Sequence, residues 1–115
     1  MEPEKRLDII KKAIRLLNRK KGASFKLFKY TFSYGIDSKY GSGQFITITV
    51  QNTINKKVMS LQYHESFFDA NLPNEKDVES GVDRISKPED KVLLRVAYSI
   101  WFCRHWMHLP NKKRK

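Results

Sequence analysis

The sequence predicts an α+β fold: a three-stranded antiparallel sheet packed with an N-terminal and a C-terminal helix, in the order α-β-β-β-α. Two observations predict it. Apolar residues recur at helical spacing near both ends of the chain, and the three segments of alternating polarity between them are joined by connections too short for a parallel crossover. The 115 residues, of which 40% are hydrophobic, suit one domain with a packed core. We expect that domain to span residues 1–110 and to be followed by a basic tail at residues 111–115.

The first helix is predicted over residues 4–21. An apolar stripe runs along it at spacings of three and four residues and is formed by Leu7, Ile10, Ile14 and Leu17. The opposite arc is basic, with Asp8 as its one acid. Gly22 follows three consecutive cations, a composition typical of a helix C-terminus. Burial of the stripe would therefore leave the cations in solvent.

Three strands are predicted at residues 24–34, 45–52 and 58–65. The first carries an aromatic row on one face, made of Phe28, Tyr30, Phe32 and Tyr34. We expect this row to pack beneath the helices, because a sheet of this size must bury one face. The alternative is that the row stacks on unpaired bases, as sheet faces do in single-strand binders. The residues expected to face the core from the other two strands are Ile46, Ile48, Val50, Met59, Leu61 and Tyr63.

The connections around the sheet are predicted to be less regular. A Gly-Ser-Gly run places a flexible loop at residues 35–44, and residues 53–56 form a hairpin turn. The acidic segment 65–90 is predicted to be mobile, because its like charges, Pro73 and Gly81 oppose packing. The alternative is that it acts as an internal mimic that limits nonspecific binding. Its expected apolar anchors are Phe67, Phe68, Leu72, Val78 and Ile85.

The last helix is predicted from about Pro88 to Leu109, opened by a capping box between Ser86 and Glu89. Apolar residues cover most of its circumference, which is more surface than a three-stranded sheet and one short helix can hide. We therefore predict a protein contact on this helix, with a homodimer as its simplest form. The expected contact residues are Tyr98, Trp101 and His105.

The α-β-β-β-α order resembles that of double-stranded-RNA-binding domains. Domains of that family place a Lys-rich turn directly after the third strand, at the start of the last helix. In this chain an acidic segment of about twenty residues intervenes, and Lys87 and Lys91 stand beside Glu89 and Asp90. The resemblance therefore concerns the order of elements and implies no binding residues.

Charge is segregated along the chain. Residues 1–60 carry thirteen Lys/Arg against four Asp/Glu, residues 61–94 four against eight, and residues 95–115 six against none. A chain with a net charge of +11 attracts polyanions, and nucleic acid is the default partner. We predict non-catalytic binding of DNA or RNA through phosphate contacts. The predicted contact residues are Lys5, Lys11, Lys12, Arg15, Arg19, Lys20, Lys21, Lys26, Lys29, Lys56, Lys57, Lys112, Lys113 and Arg114.

The alternative function is that of a small viral or mobile-element accessory protein that binds an acidic protein surface and inhibits or redirects it. Trp101 and Trp106 would be its apolar anchor. The two hypotheses differ in what they require of the surface. A nucleic-acid binder leaves its cations open and loses affinity steeply with salt, whereas an inhibitor exposes an aromatic patch and binds one partner in a 1:1 complex.

No cofactor, metal site or catalytic activity is predicted. Cys103, His105 and His108 lack the two close pairs of a structural zinc site. The Glu-Asp-Lys triplet at residues 89–91 fits a helix start better than a metal-dependent nuclease. One cysteine, no secretory signal, and charges within the longest apolar segment predict an intracellular protein, cytoplasmic or nuclear, that does not enter a membrane.

Overall fold

The computed structural model describes residues 1–107 and confirms the α+β fold and its α-β-β-β-α order. Its helices and strands are α1 (Pro3–Lys21), β1 (Phe25–Asp37), β2 (Gly41–Asn52), β3 (Val58–His64), α2 (Lys76–Ser80) and α3 (Pro88–Phe102). The strands form an antiparallel sheet in the order β1-β2-β3. The short helix α2 lies within the segment that was expected to be irregular.

The two long helices pack side by side and run parallel to each other. Lys5 and Glu89 form an ion pair between the first turns of α1 and α3. Through this contact each side chain favours the charged form of the other, so the pKa of Lys5 is raised and that of Glu89 is lowered. Near the other end, the Lys21 ammonium lies 5.6 Å from the Trp101 ring centre. Both helix N-termini therefore lie at one end of the molecule and both C-termini at the other.

Helix α1 lies along β1 in the opposite direction. The Asn18 amide donates to the carbonyl of Phe25 and accepts its N–H, both at 2.9 Å. At the other end, the Tyr30 hydroxyl donates to the carbonyl of Pro3 at 3.4 Å. The first turn of α1 therefore lies beside Tyr30, and the part of β1 that follows Tyr30 extends past the start of the helix.

The core lies between the sheet and the helices. Three residues of β2 are 0% exposed, namely Ile46, Ile48 and Val50. Met59 and Tyr63 of β3 are also buried, and Leu61 packs against the same cluster, which confirms the predicted core faces of both strands. From the predicted stripe of α1, Ile10, Ile14 and Leu17 are buried and Leu7 is half-buried.

The flexible loop expected at residues 35–44 is wrong, because strand pairing continues through most of it. Ile36 pairs with Ser42 and Asp37 with Gly41, so the β1–β2 hairpin ends in a short turn. The Asp37 carboxylate accepts the backbone N–H groups of Lys39 and Tyr40, each at 2.8 Å, and these hydrogen bonds lower the pKa of Asp37. Gly41 supplies the positive φ of 81° that closes the turn.

The expectation that the aromatic row of β1 fills the core is wrong for three of its four residues, since only Tyr30 packs against the core. Tyr34 is 82% exposed, Phe28 56% and Phe32 47%. Phe32 and Tyr34 pair with Ile46 and Gln44, so they do lie on the helix side of the sheet. The helix α1 begins beside Tyr30, however, so the strand continues past the start of the helix and the hairpin forms an overhang. Phe28 coincides with an irregularity in the β1–β2 register.

The acidic segment is folded onto α3, in contrast to the predicted mobile loop. Arg95, 4% exposed, donates to both carboxylate oxygens of Asp77 and to the carbonyls of Phe67, Asp69 and Leu72. A single guanidinium therefore ties three parts of the segment to one point on α3. Phe68 is buried as expected, but the anchor at the far end is Val82, since Val78 is 70% exposed.

The boundaries of the last helix differ from the prediction. Lys87 is its N-cap and makes no side-chain cap bond, so the Ser86–Glu89 capping box is wrong. The helix ends at Phe102, and a 3₁₀ turn follows over Arg104–Met107. The Arg104 guanidinium donates to the carbonyl of Trp101 at 2.8 Å, which satisfies one of the open carbonyl groups at the helix end. The predicted helix end at Leu109 lies outside the described residues.

Candidate nucleic-acid interface

The exposed arc of α1 carries a row of cations. Lys11, Arg15 and Arg19 are four residues apart, so they succeed one another by about 6 Å along one side of the helix. All three are exposed, and none forms an ion pair with any residue in 1–107. These three residues are called the α1 row. Lys12 differs, because its ammonium lies 3.1 Å from the Asp8 carboxylate.

A second group of cations gathers where α1 ends. Thr53, in the β2–β3 turn, donates its N–H and its hydroxyl to the carbonyl of Ser24, which joins that turn to the α1–β1 connection. This contact places the turn that carries Lys56 and Lys57 beside the end of α1, and the ring of Trp101, which Lys21 also approaches, brings in Arg104. The group is called the basic end and consists of Lys20, Lys21, Lys56, Lys57 and Arg104.

The electrostatics of the helices favour cations at the basic end. The C-termini of α1 and α3 both lie there, and the carbonyl ends of helices carry partial negative charge. Gly22, with a φ of 68°, ends α1 in the left-handed conformation that this position commonly adopts. The partial negative charge at these helix ends therefore offsets part of the repulsion between the cations of the basic end.

Trp101 joins the basic end to the core. Its ring lies 6.4 Å from the ring of Phe25 and has Arg104 at 3.9 Å and Lys21 at 5.6 Å, measured from the ring centre. Cations at these distances interact favourably with an indole ring. Trp101 therefore orients two cations and is itself half-buried, whereas the sequence had suggested it as a free contact residue.

An aromatic surface adjoins the basic end. Phe102 is 49% exposed and stacks on Tyr98, with ring centres 6.0 Å apart. Trp106 is 68% exposed and lies 5.0 Å from the ring of His105. Two of the predicted protein-contact residues, Tyr98 and His105, thus border exposed aromatic rings. These four residues are called the aromatic end.

Not all predicted phosphate contacts come together. Lys5 lies at the far end of α1 in its ion pair with Glu89. Lys26 and Lys29 are exposed on the outer face of the sheet, paired with Gln51 and Thr49 and turned away from the helices. The three predicted cations of the tail, Lys112, Lys113 and Arg114, lie outside the described residues.

Sequence reasoning missed three arginines. Arg104 belongs to the basic end, and its position three residues after Trp101 was the available signal. Arg6 and Arg95 are buried at 6% and 4% exposure. Each lies on the apolar side of its helix, as Arg6 does one turn before Ile10, and this placement distinguishes them from the exposed cations.

Residues 1–107 contain no cluster of three His, Cys, Asp or Glu side chains arranged to hold a metal ion. None of their helices has the length and apolar content that crossing a membrane requires. No protein-family model, curated protein or solved structure matches the chain.

Proposed function

We propose that the protein binds nucleic acid without catalysing a reaction, through the α1 row and the basic end. The supporting observation is that these cations are exposed to solvent and, among the described residues, unpaired. None of them is in an ion pair with a residue of 1–107, although the chain has eight acids between residues 61 and 94. The acids of this segment that form ion pairs do so with Lys5, Lys76 and Arg95. The cations of the α1 row and the basic end therefore stay available for phosphates.

The binding mechanism is the release of counterions. Each cation that contacts a phosphate displaces a condensed counterion, and affinity falls with salt in proportion to the number of contacts. Phosphate contacts of this kind carry no sequence information. We therefore expect binding to random sequences, with a steep dependence on salt concentration.

The test removes the α1 row. Replacing Lys11, Arg15 and Arg19 by Gln should leave the fold intact, because all three side chains are exposed. The slope of log affinity against log salt should become shallower by roughly 0.9 for each lost contact to duplex DNA, or roughly 0.7 for a single strand. Fluorescence anisotropy with labelled random DNA and RNA at several salt concentrations measures this slope.

A charge-matched control separates local contacts from net charge. Replacing Lys76, Arg84 and Lys87 by Gln removes the same charge from the acidic segment, where these side chains are also exposed. This control should bind nearly as well as the original chain. Equal losses in the two triple variants, or none in either, would count against an interface on the α1 row.

The second candidate function is that of an accessory protein that binds and inhibits an acidic protein surface. The observation that favours it is the aromatic end, where Phe102 and Trp106 are exposed beside cations. Exposed aromatic residues next to cations are typical of protein-binding hot spots. Purification of the tagged chain with and without nuclease distinguishes the two functions. A stoichiometric protein that survives nuclease treatment and is lost in Trp106→Ser supports the second.

A further inference from the structure

A cleft lies at the end of the molecule opposite the basic end. Its volume is about 890 Å³, within the range of small-molecule sites. It is bounded by the overhang of the β1–β2 hairpin, the first turns of α1 and α3, and the start of the acidic segment. The proposed nucleic-acid interface does not include any of its residues, so the cleft requires a separate explanation.

The two buried arginines differ in how well they are satisfied. All the N–H groups of the Arg95 guanidinium have acceptors, including both oxygens of Asp77. Arg6, which lines the cleft, donates to the neutral amide oxygen of Gln44, and its Nε–H has no partner among residues 1–107. Arg6 also has no carboxylate partner within those residues. Burial of a charge without a counter-ion is costly, so an anion bound beside Arg6 would be stabilised.

A second unsatisfied donor lines the same cleft. The Nδ1 atom of His64 accepts the backbone N–H of Ser66 at 3.1 Å. In the neutral ring the proton must then be on Nε2, and this buried atom has no partner in residues 1–107. His64 is adjacent to the network of Arg6, because it pairs with Phe45, the residue after Gln44. Two buried donors without partners therefore belong to residues that line one cleft, and a group rich in acceptors would satisfy them.

The helix termini add further donors. Pro3 and Pro88 begin the two long helices, and both residues line the cleft. Neither α1 nor α3 has a side-chain cap from residues 1–107, so their first N–H groups are open. Helix N-termini attract anions, phosphate groups in particular.

The overhang supplies flat aromatic surface beside these donors. Tyr34, 82% exposed, and Tyr40 both line the cleft. The ring of Tyr40 stacks on that of His64, with centres 5.6 Å apart and planes 23° apart. A planar ring that enters the cleft can stack on either tyrosine, as bases do in single-strand binders.

Three carboxylates also line the cleft and limit what it accepts. Glu89 is held in the interhelical ion pair, Glu65 accepts the N–H of Gln44 at 2.6 Å, and Asp69 accepts the N–H of Asn71 at 2.9 Å. Their charges repel a continuous phosphate backbone. A single phosphate group attached to a planar ring fits better than a strand running through the cleft.

We propose that the cleft binds a nucleoside monophosphate group, whose phosphate accepts hydrogen bonds from Arg6 and His64 while its base stacks on Tyr34 or Tyr40. The group is either a free nucleotide or the phosphorylated end of a strand, since the two share this chemistry. The site is independent of the basic end and holds whether or not that surface binds nucleic acid.

The first test titrates the full chain with adenosine monophosphate and follows amide signals by NMR and the melting temperature. Arg6→Met keeps the length of the side chain and removes its donors. This variant should melt no lower than the original chain, because an unpaired charge is lost, and its affinity for the nucleotide should fall at least about tenfold. Arg95→Met is the matched control, and it should melt at a lower temperature because Asp77 and three carbonyls lose their donor.

A second variant tests the stacking surface and does not depend on the stability of Arg6→Met. Tyr34→Ala should fold normally, because the side chain is exposed. Its affinity for adenosine monophosphate should fall about tenfold, within the range for loss of one stacking partner, while its response to inorganic phosphate should be unchanged. Absence of saturable binding at millimolar nucleotide, or equal binding by all variants, would overturn the proposal.

The source of the group is decided by competition. If the ligand is a strand end, a 5′-phosphorylated oligonucleotide should displace the nucleotide better than the same oligonucleotide with a 5′-hydroxyl. If it is a free nucleotide, neither oligonucleotide should compete. The Lys11, Arg15 and Arg19 triple variant should bind the nucleotide unchanged, and loss of binding in that variant would assign the phosphate to the basic surface and refute the cleft.

Discussion

At the scale of single residues, buried charge in this chain has two different roles. Arg95 holds the acidic segment against α3 through a fully satisfied guanidinium, and its closest contact to Asp77 is 2.8 Å. The pair has 3% and 8% exposed side chains, so both charges are shielded from water. Removing one member of such a pair leaves the other charge buried without a counter-ion. That loss destabilises the fold by more than the intact pair stabilises it.

The first prediction concerns this ion pair. Asp77→Asn leaves the Arg95 charge buried without a counter-ion and should lower the free energy of unfolding by about 3–5 kcal/mol. Urea denaturation measures the change. The control is Glu79→Gln, which breaks the exposed pair with Lys76 and should cost less than about 1 kcal/mol. Similar effects of the two substitutions would show that the acidic segment is not held through Arg95.

The second prediction concerns a buried hydroxyl. Burial raises the pKa of Tyr63, whose hydroxyl is hydrogen-bonded to the Ser99 hydroxyl at 2.5 Å. Since the folded pKa exceeds the unfolded value of about 10, the stabilisation is complete below pH 10 and is lost as the pH rises above it. Tyr63→Phe should cost about 1 kcal/mol at pH 7 and lose less stability between pH 9 and 11.

Unfolding by urea across this pH range tests the Tyr63 prediction. Tyr34→Phe serves as the control, because Tyr34 is 82% exposed and should leave the alkaline loss of stability unchanged. If Tyr63→Phe shows the same alkaline loss as the original chain, ionisation of Tyr63 is not its cause.

At the scale of elements, the hairpin extends further than the helices that cover it. Helix α1 begins beside Tyr30, whereas β1 continues to Asp37. With about 3.3 Å per residue, the uncovered part of β1 is roughly 20 Å long. The same face of the sheet is therefore core at one end and an exposed aromatic surface, next to the cleft, at the other.

The third prediction tests this division of the sheet. Ile36→Ser, on the overhang, should change the free energy of unfolding by no more than about 0.5 kcal/mol, because the side chain is 82% exposed. Ile48→Ala, in the covered part, should cost about 2–5 kcal/mol, since that side chain is 0% exposed. Comparable losses measured in urea would mean that another surface covers the overhang in solution.

At the scale of the whole molecule, charge and helix dipoles are arranged along the same direction. The C-termini of both long helices lie beside the cations of the basic end, and their N-termini lie at the cleft, which Glu65, Asp69 and Glu89 also line. The acidic segment also covers apolar surface of α3, where Val92 and Val82 are both 1% exposed. A second copy of the chain is therefore not required to bury this helix.

The fourth prediction concerns self-association, which stays a prediction at the aromatic end. Phe102 and Trp106 are exposed, so a homodimer through this end should appear at high micromolar concentration in sedimentation experiments. Trp106→Ser should shift the chain to monomer without loss of stability. A monomer at all concentrations in the original chain would exclude this dimer.

The site was less predictable from the sequence than the fold. Helical spacing identified which cations of α1 are exposed, since Lys11, Arg15 and Arg19 lie opposite the buried stripe. Helical spacing could not place Lys56 or Arg104 at the same end of the molecule as Lys21, because both residues are far from Lys21 along the chain. The cleft was missed entirely, as its donors Arg6 and His64 come from different elements and look like ordinary polar residues in the sequence.

Periodicity by itself determined the class of fold, the order of its elements, the three strands and the core faces of β2 and β3, because these depend on patterns within a few residues. Only the tertiary structure decided how far α1 covers β1, what packs on α3, and which charges are buried. The aromatic row and the acidic segment were misjudged for one physical reason. Burial is a property of what lies above a residue in space, and that depends on relative lengths of helix and strand and on a long-range contact such as Arg95 with Asp77.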